Sequence, residues 1–228
     1  MNKTWIKSQE YELEYGKKWM RSEAAKKYLN DCKKIKKTKV YEFNHGYANF
    51  FTKKPELFAE FLLQTTGRAR LEVGTSVCPL VNSFWWTSVN YVIEPLLDVI
   101  VPYQRELLGY TVFDETINYS VPGEVLVPEL VGKVDGVVVC RNCLDHTPQW
   151  QDILRNISQY SVPGAWLLLW NDLHKPQEPD AGHYNITTDV DWWRDNIISL
   201  GYSIINEYTE PEHDVQGILN YGCVAVRV

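Results

Sequence analysis

The sequence predicts an α/β fold: a seven-stranded, mostly parallel sheet with helices on both faces, preceded by a helical cap. Three observations predict it. From residue 69 onward, short apolar runs alternate with stretches of helical periodicity, the pattern of βαβ units joined by right-handed crossovers. Two of the runs, 134–140 and 165–170, are almost continuously apolar, as strands buried on both faces are. Turn residues punctuate the alternation at Gly74, Glu94-Pro95, Pro122-Gly123, Pro163-Gly164 and Gly201.

The elements follow in order. Residues 4–30 read as one helix, with Trp5, Tyr11, Tyr15, Trp19 and Tyr28 at roughly helical spacing among charges. That stripe either packs on the main domain or forms a lid over a pocket. Residues 31–54 are basic and then aromatic and read as irregular. Pro55 opens a helix to about residue 63, since proline is tolerated in a first turn, and Gly67 stops it. The first strand is 69–73, followed by a helical stretch near 79–86. A strand at 89–93, a helix at 96–108 and a weaker strand at 116–121 come next. Strand 134–140 leads into helix 148–160 and strand 165–170. A long acidic loop, 171–188, precedes helix 190–200 and the last strands, 202–207 and 222–228. Loops of that length are usually functional or disordered. The expected division is a helical cap over 1–66 and a sheet domain over 67–228.

The chain has 228 residues, 45% of them apolar, enough for one domain with a real core and an attached cap. Its formal net charge of -6 disfavours a surface built to hold nucleic acid. The charge is uneven, because residues 1–39 hold 12 Lys and Arg against 5 Asp and Glu. Lys33, Lys34, Lys36, Lys37 and Lys39 form either a solvated helix end and linker or a patch for phosphate or an acidic partner. Five cysteines, no apolar segment after Met1 and no apolar run of roughly 20 residues lead to the expectation of a cytoplasmic enzyme with reduced thiols and no membrane span. Cys140 and Cys143 form a CxxC, but no second Cys/His pair stands at ligand spacing, so no metal is expected.

In open α/β sheets, ligands bind beyond the carboxyl ends of the strands. Gly74 stands directly after the first strand, where a glycine lets the backbone turn sharply and approach a ligand. Glu94 closes the second strand 20 residues later, where an acid can accept hydrogen bonds from a ribose diol. The pair suggests an adenosine-containing ligand. The competing reading is that Glu94 caps the helix that follows.

These residues also resemble a known family. Leu71-Glu72-Val73-Gly74-Thr75-Ser76 is similar to motif I of class I S-adenosylmethionine-dependent methyltransferases, the turn that holds the amino acid end of the cofactor. Val92-Ile93-Glu94-Pro95-Leu96 resembles motif II, whose acid binds the ribose. Pro122-Gly123-Glu124-Val125 sits where the family places its adenine-contacting segment. Residues 134–146, ending Cys140-Arg141-Asn142-Cys143-Leu144-Asp145-His146, resemble the strand-four motif of the small-molecule (methyltransferase type 11-like) branch. The resemblance covers roughly residues 68–228. It implies a Rossmann-like fold, S-adenosyl-L-methionine as cofactor, and contacts to it from Glu72, Gly74, Thr75, Ser76, Glu94, Pro95, Gly123, Glu124, Val125, Arg141, Asn142 and His146. One departure stands out: Ser76 and Cys78 replace the later glycines of the turn. A reshaped methionine pocket, weaker binding and a degenerate site all remain open on that point.

A methyl acceptor with an oxygen or nitrogen nucleophile often needs a base, and histidine is the usual choice. The candidates are His183 and His146, ahead of His45, His174 and His213. For His146 the competing role is shaping the cofactor pocket. Trp85-Trp86 and Trp192-Trp193 either line a pocket or belong to the core. A dinucleotide-dependent oxidoreductase would want Gly-x-Gly-x-x-Gly after the first strand, which is absent. The DNA-methylating branches resemble one another in an Asp/Asn-Pro-Pro-aromatic motif or a Pro-Cys nucleophile, and neither is present, so no DNA partner is expected. A small molecule or a sugar is the expected acceptor; the alternative is a non-catalytic relative that binds the cofactor or a protein partner.

Overall fold

The computed structural model describes residues 3–34, 49–51, 54–79, 89–173, 183–184, 186–187, 189–211 and 219–228. The expected helical stretch near 79–86 lies almost wholly outside the described residues, with Trp85 and Trp86. So do Lys36, Lys37, Lys39, His45, His174 and His213.

The N-terminal segment is two helices, not one: α1 (Lys3–Met20) and α2 (Glu23–Lys34). The break comes from Ser22. Its backbone N–H bonds back to Trp19, and its hydroxyl accepts from the Ala25 N–H at 3.1 Å, the capping geometry that starts a new helix. Residues 31–34 accordingly continue α2 rather than opening an irregular stretch. A 3₁₀ turn at Asn49–Phe51 leads to α3 (Pro55–Thr65), which ends where Thr66 turns extended.

Four parallel strands follow with their helices. They are β1 (Arg70–Val73), β2 (Asn90–Ile93), α4 (Leu97–Leu108), β3 (Ile117–Tyr119) and β4 (Val137–Arg141). β4 starts three residues later than expected, because Val134 makes only a single bridge to Ser161. After α5 (Trp150–Tyr160) comes β5 (Trp166–Leu173), which runs three residues into the expected loop. Its pairing with the last strand continues to Leu173 opposite Leu219, and the ladder holds the chain extended. α6 (Val190–Ser199) then leads to the long strands β6 (Tyr202–Pro211) and β7 (Leu219–Arg227). Asp189 caps α6 by accepting from the N–H groups of Asp191 and Trp192.

The sheet order is β3-β2-β1-β4-β5-β7-β6, with β7 antiparallel to both neighbours. Successive side chains alternate between two cores. On one face, Leu71, Val138, Leu167 and Tyr221 pack against Trp150, Ile157, Trp193 and Ile197 of α5 and α6. On the other, Val92, Val139 and Leu168 pack against Phe61 of α3 and Ile100 of α4, together with Met20 and Leu29 of the N-terminal helices. Trp193 is fully buried and stacks on Tyr221 at 5.8 Å, so the Trp192-Trp193 pair belongs to the core. Among the described residues, no helix is long and apolar enough to cross a membrane.

One buried polar side chain joins α4 and the segment after it to the turn beyond β1. Gln104 of α4, fully buried, donates to the Val77 carbonyl at 2.6 Å. Its amide oxygen accepts from the Thr111 hydroxyl at 2.7 Å and the Val112 N–H at 3.1 Å. Gln104→Leu leaves these buried groups unpaired, at about 1–3 kcal/mol each before relaxation. We expect a loss of about 3 kcal/mol in urea unfolding; a loss below about 1 kcal/mol would mean that water or rearrangement replaces the bonds.

Candidate functional site

The strand order reverses between β1 and β4, and in open α/β sheets the ligand crevice lies beyond the carboxyl ends of the strands at such a switch point. A cleft of about 600 Å³ opens there. Gly74 begins its floor with φ of 72°. A Cβ at this position would lie 2.2 Å from Cys143 Cβ, so only glycine fits beside the end of β4. Ser76 and Asn142, at φ of 50° and 47°, are held in the left-handed region, which costs a side-chain-bearing residue roughly 1–2 kcal/mol. Both line the cleft. Ser76 therefore follows a glycine-like backbone path without being glycine, which is where the sequence departs from the methyltransferase pattern.

Glu94 stands at the centre. Its carboxylate accepts from the Ser76 N–H at 2.9 Å and from the Leu96 N–H at 3.0 Å. It thus clamps the turn after β1 to the start of α4, and each oxygen keeps acceptor capacity. Burial pushes the Glu94 carboxyl up from 4.5 to about 7; the two backbone bonds pull it down, and Glu12 and Glu72 push it further up. The opposite wall is Pro122-Gly123-Glu124. Asn156 donates to the Gly123 carbonyl at 3.0 Å, and the Thr147 hydroxyl donates to Glu124 at 3.1 Å. The roof is α1, through Trp5, Gln9 and Glu12.

A second depression, about 990 Å³ and open to solvent, shares Glu12, Gly74, Ser76, Asn142 and His146 with the first. Tyr11 and Tyr15 of α1, Thr75, Arg141, Trp170 and His183 complete it. Here the histidines meet: the rings of His146 and His183 lie 4.8 Å apart. Beneath them is Asp145, fully buried. Its carboxylate oxygens lie 3.7 Å from His146 Nε2 and 4.0 Å from His183 Nε2. The Asp145 carbonyl accepts from the Tyr184 N–H at 2.6 Å, which brings the 183–184 segment to the site.

Of the residues expected to hold a cofactor, Gly74, Ser76, Glu94, Pro95, Gly123, Glu124, Asn142 and His146 line the first cleft. Thr75 and Arg141 line the second. Glu72 is buried within electrostatic reach of Glu94 and lines neither. Val125 is exposed and lines neither. Trp5, from the aromatic stripe read as either packing or a lid, lines the first cleft; Gln9 and Glu12 carried no signal in the sequence and enter because α1 folds back over the sheet. Asp145 stood in the quoted strand-four run, but its place under both histidines needs the fold.

Two outcomes follow. Gly74→Ala adds a left-handed strain and a clash with Cys143, and is expected to cost about 3 kcal/mol or more in urea unfolding; a neutral substitution would mean that β1 and β4 can separate. Glu94 has a folded-state value above its unfolded one. Its stabilising contribution is therefore fully present below about 4.5 and is lost as pH rises through about 7. The melting temperature of ligand-free protein should fall by about 5 °C from pH 5 to pH 8, and Glu94→Gln should remove most of that slope. A slope unchanged in Glu94→Gln would assign it to other groups.

No family model matches the chain, and no curated protein does. Solved structures do match its fold. A protein from Listeria monocytogenes assigned as an S-adenosylmethionine-dependent methyltransferase superposes with a TM-score of 0.54 at 10% identity, over 80% of this chain and 98% of that one. The [4+2]-cyclase SpnF superposes with a TM-score of 0.55 at 11% identity, over 75% and 80%. A variant of the 16S rRNA (adenine(1408)-N(1))-methyltransferase from Catenulisporales acidiphilia gives 0.50 at 15% identity, over 77% and 92%. The chain has the Rossmann-like fold of the class I methyltransferases.

Proposed function

We propose that the chain is an S-adenosylmethionine-dependent methyltransferase acting on an oxygen or nitrogen of a small molecule or sugar. Glu94 carries the reading: a buried carboxylate at the end of β2, facing the crevice at the switch point and clamped to the turn after Gly74. The acceptor capacity left on its two oxygens suits the two hydroxyls of a ribose. Glycine backbone at Gly74 suits the amino acid end of the cofactor, and the Pro122-Gly123-Glu124 wall suits the adenine. Glu12, Glu94 and Glu124 in the lining favour a cationic sulfonium. Residues 1–66 act as a cap, with α1 closing the cleft over the domain formed by 67–228.

When bound, the cofactor supplies an activated methyl group. The protein's own work is orientation and proton removal. The second depression adjoins the first through Glu12, Gly74, Ser76, Asn142 and His146, so an acceptor held there would lie beside the cofactor cleft. Tyr11, Tyr15 and Trp170 offer flat faces to a ring. His183 takes the acceptor's proton, with His146 at the boundary of the two depressions and Asp145 stabilising the charge that develops on the imidazoles. The alternative of a non-catalytic binder draws on the single glycine of the turn. Against it stands Ser76, whose backbone keeps the left-handed path.

Calorimetric titration with S-adenosylhomocysteine tests the cofactor. Wild-type protein should bind at micromolar level, and Glu94→Ala should bind at least about tenfold more weakly, as expected for loss of a charged hydrogen-bond acceptor. Well-folded wild-type protein without binding would reduce the claim to one of fold.

A further inference from the structure

We propose that Glu12, His146 and His183 form a binding site for a divalent transition-metal ion at the mouth of the cleft. The three side chains come from distant parts of the chain: α1, the turn after β4 and the segment after β5. Each presents one ligand atom, and these atoms lie within 4.8 Å of one another. His146 Nδ1 is 3.5 Å from Glu12 Oε1. In a tetrahedral zinc site with bonds of about 2.0–2.1 Å, ligand atoms stand about 3.4 Å apart. The set therefore needs to contract by at most about 1.4 Å, from 4.8 Å to the tetrahedral spacing, and none of the three side chains is locked in the core.

The surroundings fit ligation. Metal-bound histidines usually turn their second ring nitrogen toward a carboxylate, which fixes the tautomer and orients the ring. Asp145 occupies that position for both rings, facing Nε2 of His146 and Nε2 of His183. This assigns Nδ1 to the ion, and Nδ1 of His146 is the nitrogen that faces Glu12. Two imidazoles and one carboxylate select zinc, cobalt, nickel or ferrous iron over magnesium and calcium, which prefer all-oxygen sets. Three protein ligands leave positions open, and these face the depression ringed by Tyr11, Tyr15 and Trp170. An acceptor hydroxyl on the ion would lose its proton more readily, the proton passing to water at the open mouth of the depression; the histidines would then hold the ion, which takes over the activating role of His183. That role rests on the methyltransferase reading; binding of the ion does not. Because Glu12 belongs to α1, the ion also ties the cap to the sheet.

The test is titration of the full chain with Co²⁺, read by absorption and by thermal melting, in wild type, Glu12→Gln and His183→Ala. We expect one equivalent bound, a melting temperature raised by several degrees at saturating ion, and no thiolate charge-transfer band. Glu12→Gln and His183→Ala should weaken binding at least about tenfold. Glu12→Gln alters a partly exposed helix position, so it serves even where a histidine variant folds poorly. No stoichiometric binding, binding undiminished in both Glu12→Gln and His183→Ala, or a thiolate charge-transfer band on the bound ion would each overturn the site. Titration of the same preparations with S-adenosylhomocysteine separates the two claims: S-adenosylhomocysteine binding without cobalt binding removes the ion site alone, and cobalt binding without the other leaves it standing.

Discussion

At Gly74 the ends of β1 and β4 approach so closely that Cys143 fills the space a Cβ would need. The rest of the site depends on that contact. It lets the backbone leave β1 in a left-handed turn, carries Ser76 to the Glu94 carboxylate, and sets the floor of the cleft. Cys143 Sγ donates to the Val73 carbonyl at 3.3 Å and lies 3.2 Å from Cys140 Sγ. The CxxC thus packs against the glycine turn. The hydrogen bond with the neighbouring Cys140 thiol, and then burial, hold the Cys143 thiol well above the ordinary thiol range, which keeps it protonated and suits packing better than nucleophilic work.

Much of the sheet is readable from the chain because its inner strands have little choice. Residues such as Val137, Val138 and Val139, or Leu167, Leu168 and Leu169, are apolar on both faces and can only lie between two helical layers. The spacing of Gly74 and Glu94 locates the switch point, since glycine at a strand end and an acid at the next are local signals. What stays hidden is set by contacts between distant elements. The break at Ser22 rests on one serine hydroxyl within an otherwise helical pattern. The extension of β5 through Leu173 is polar in sequence and held by β7. Glu12, Gln104 and Asp145 look like ordinary polar residues until α1, α4 and the β4 turn are placed against one another.

The fold alone does not name a reaction. A cyclase and an rRNA methyltransferase superpose on this fold with TM-scores of 0.55 and 0.50, and function belongs to the site rather than the scaffold. Here the site separates into two depressions. One is built around a buried carboxylate and a glycine turn. The other is ringed by aromatic side chains and carries two imidazoles over Asp145. Glu12, Gly74, Ser76, Asn142 and His146 form their shared edge, and the proposed transfer would cross it.

The most direct test is a crystal structure of the protein soaked with S-adenosylhomocysteine. The account predicts the ligand in the cleft beside Gly74, its ribose hydroxyls on Glu94 and its sulfur toward His146 and His183. A ligand bound elsewhere, or a ribose that makes no contact with Glu94, would contradict it.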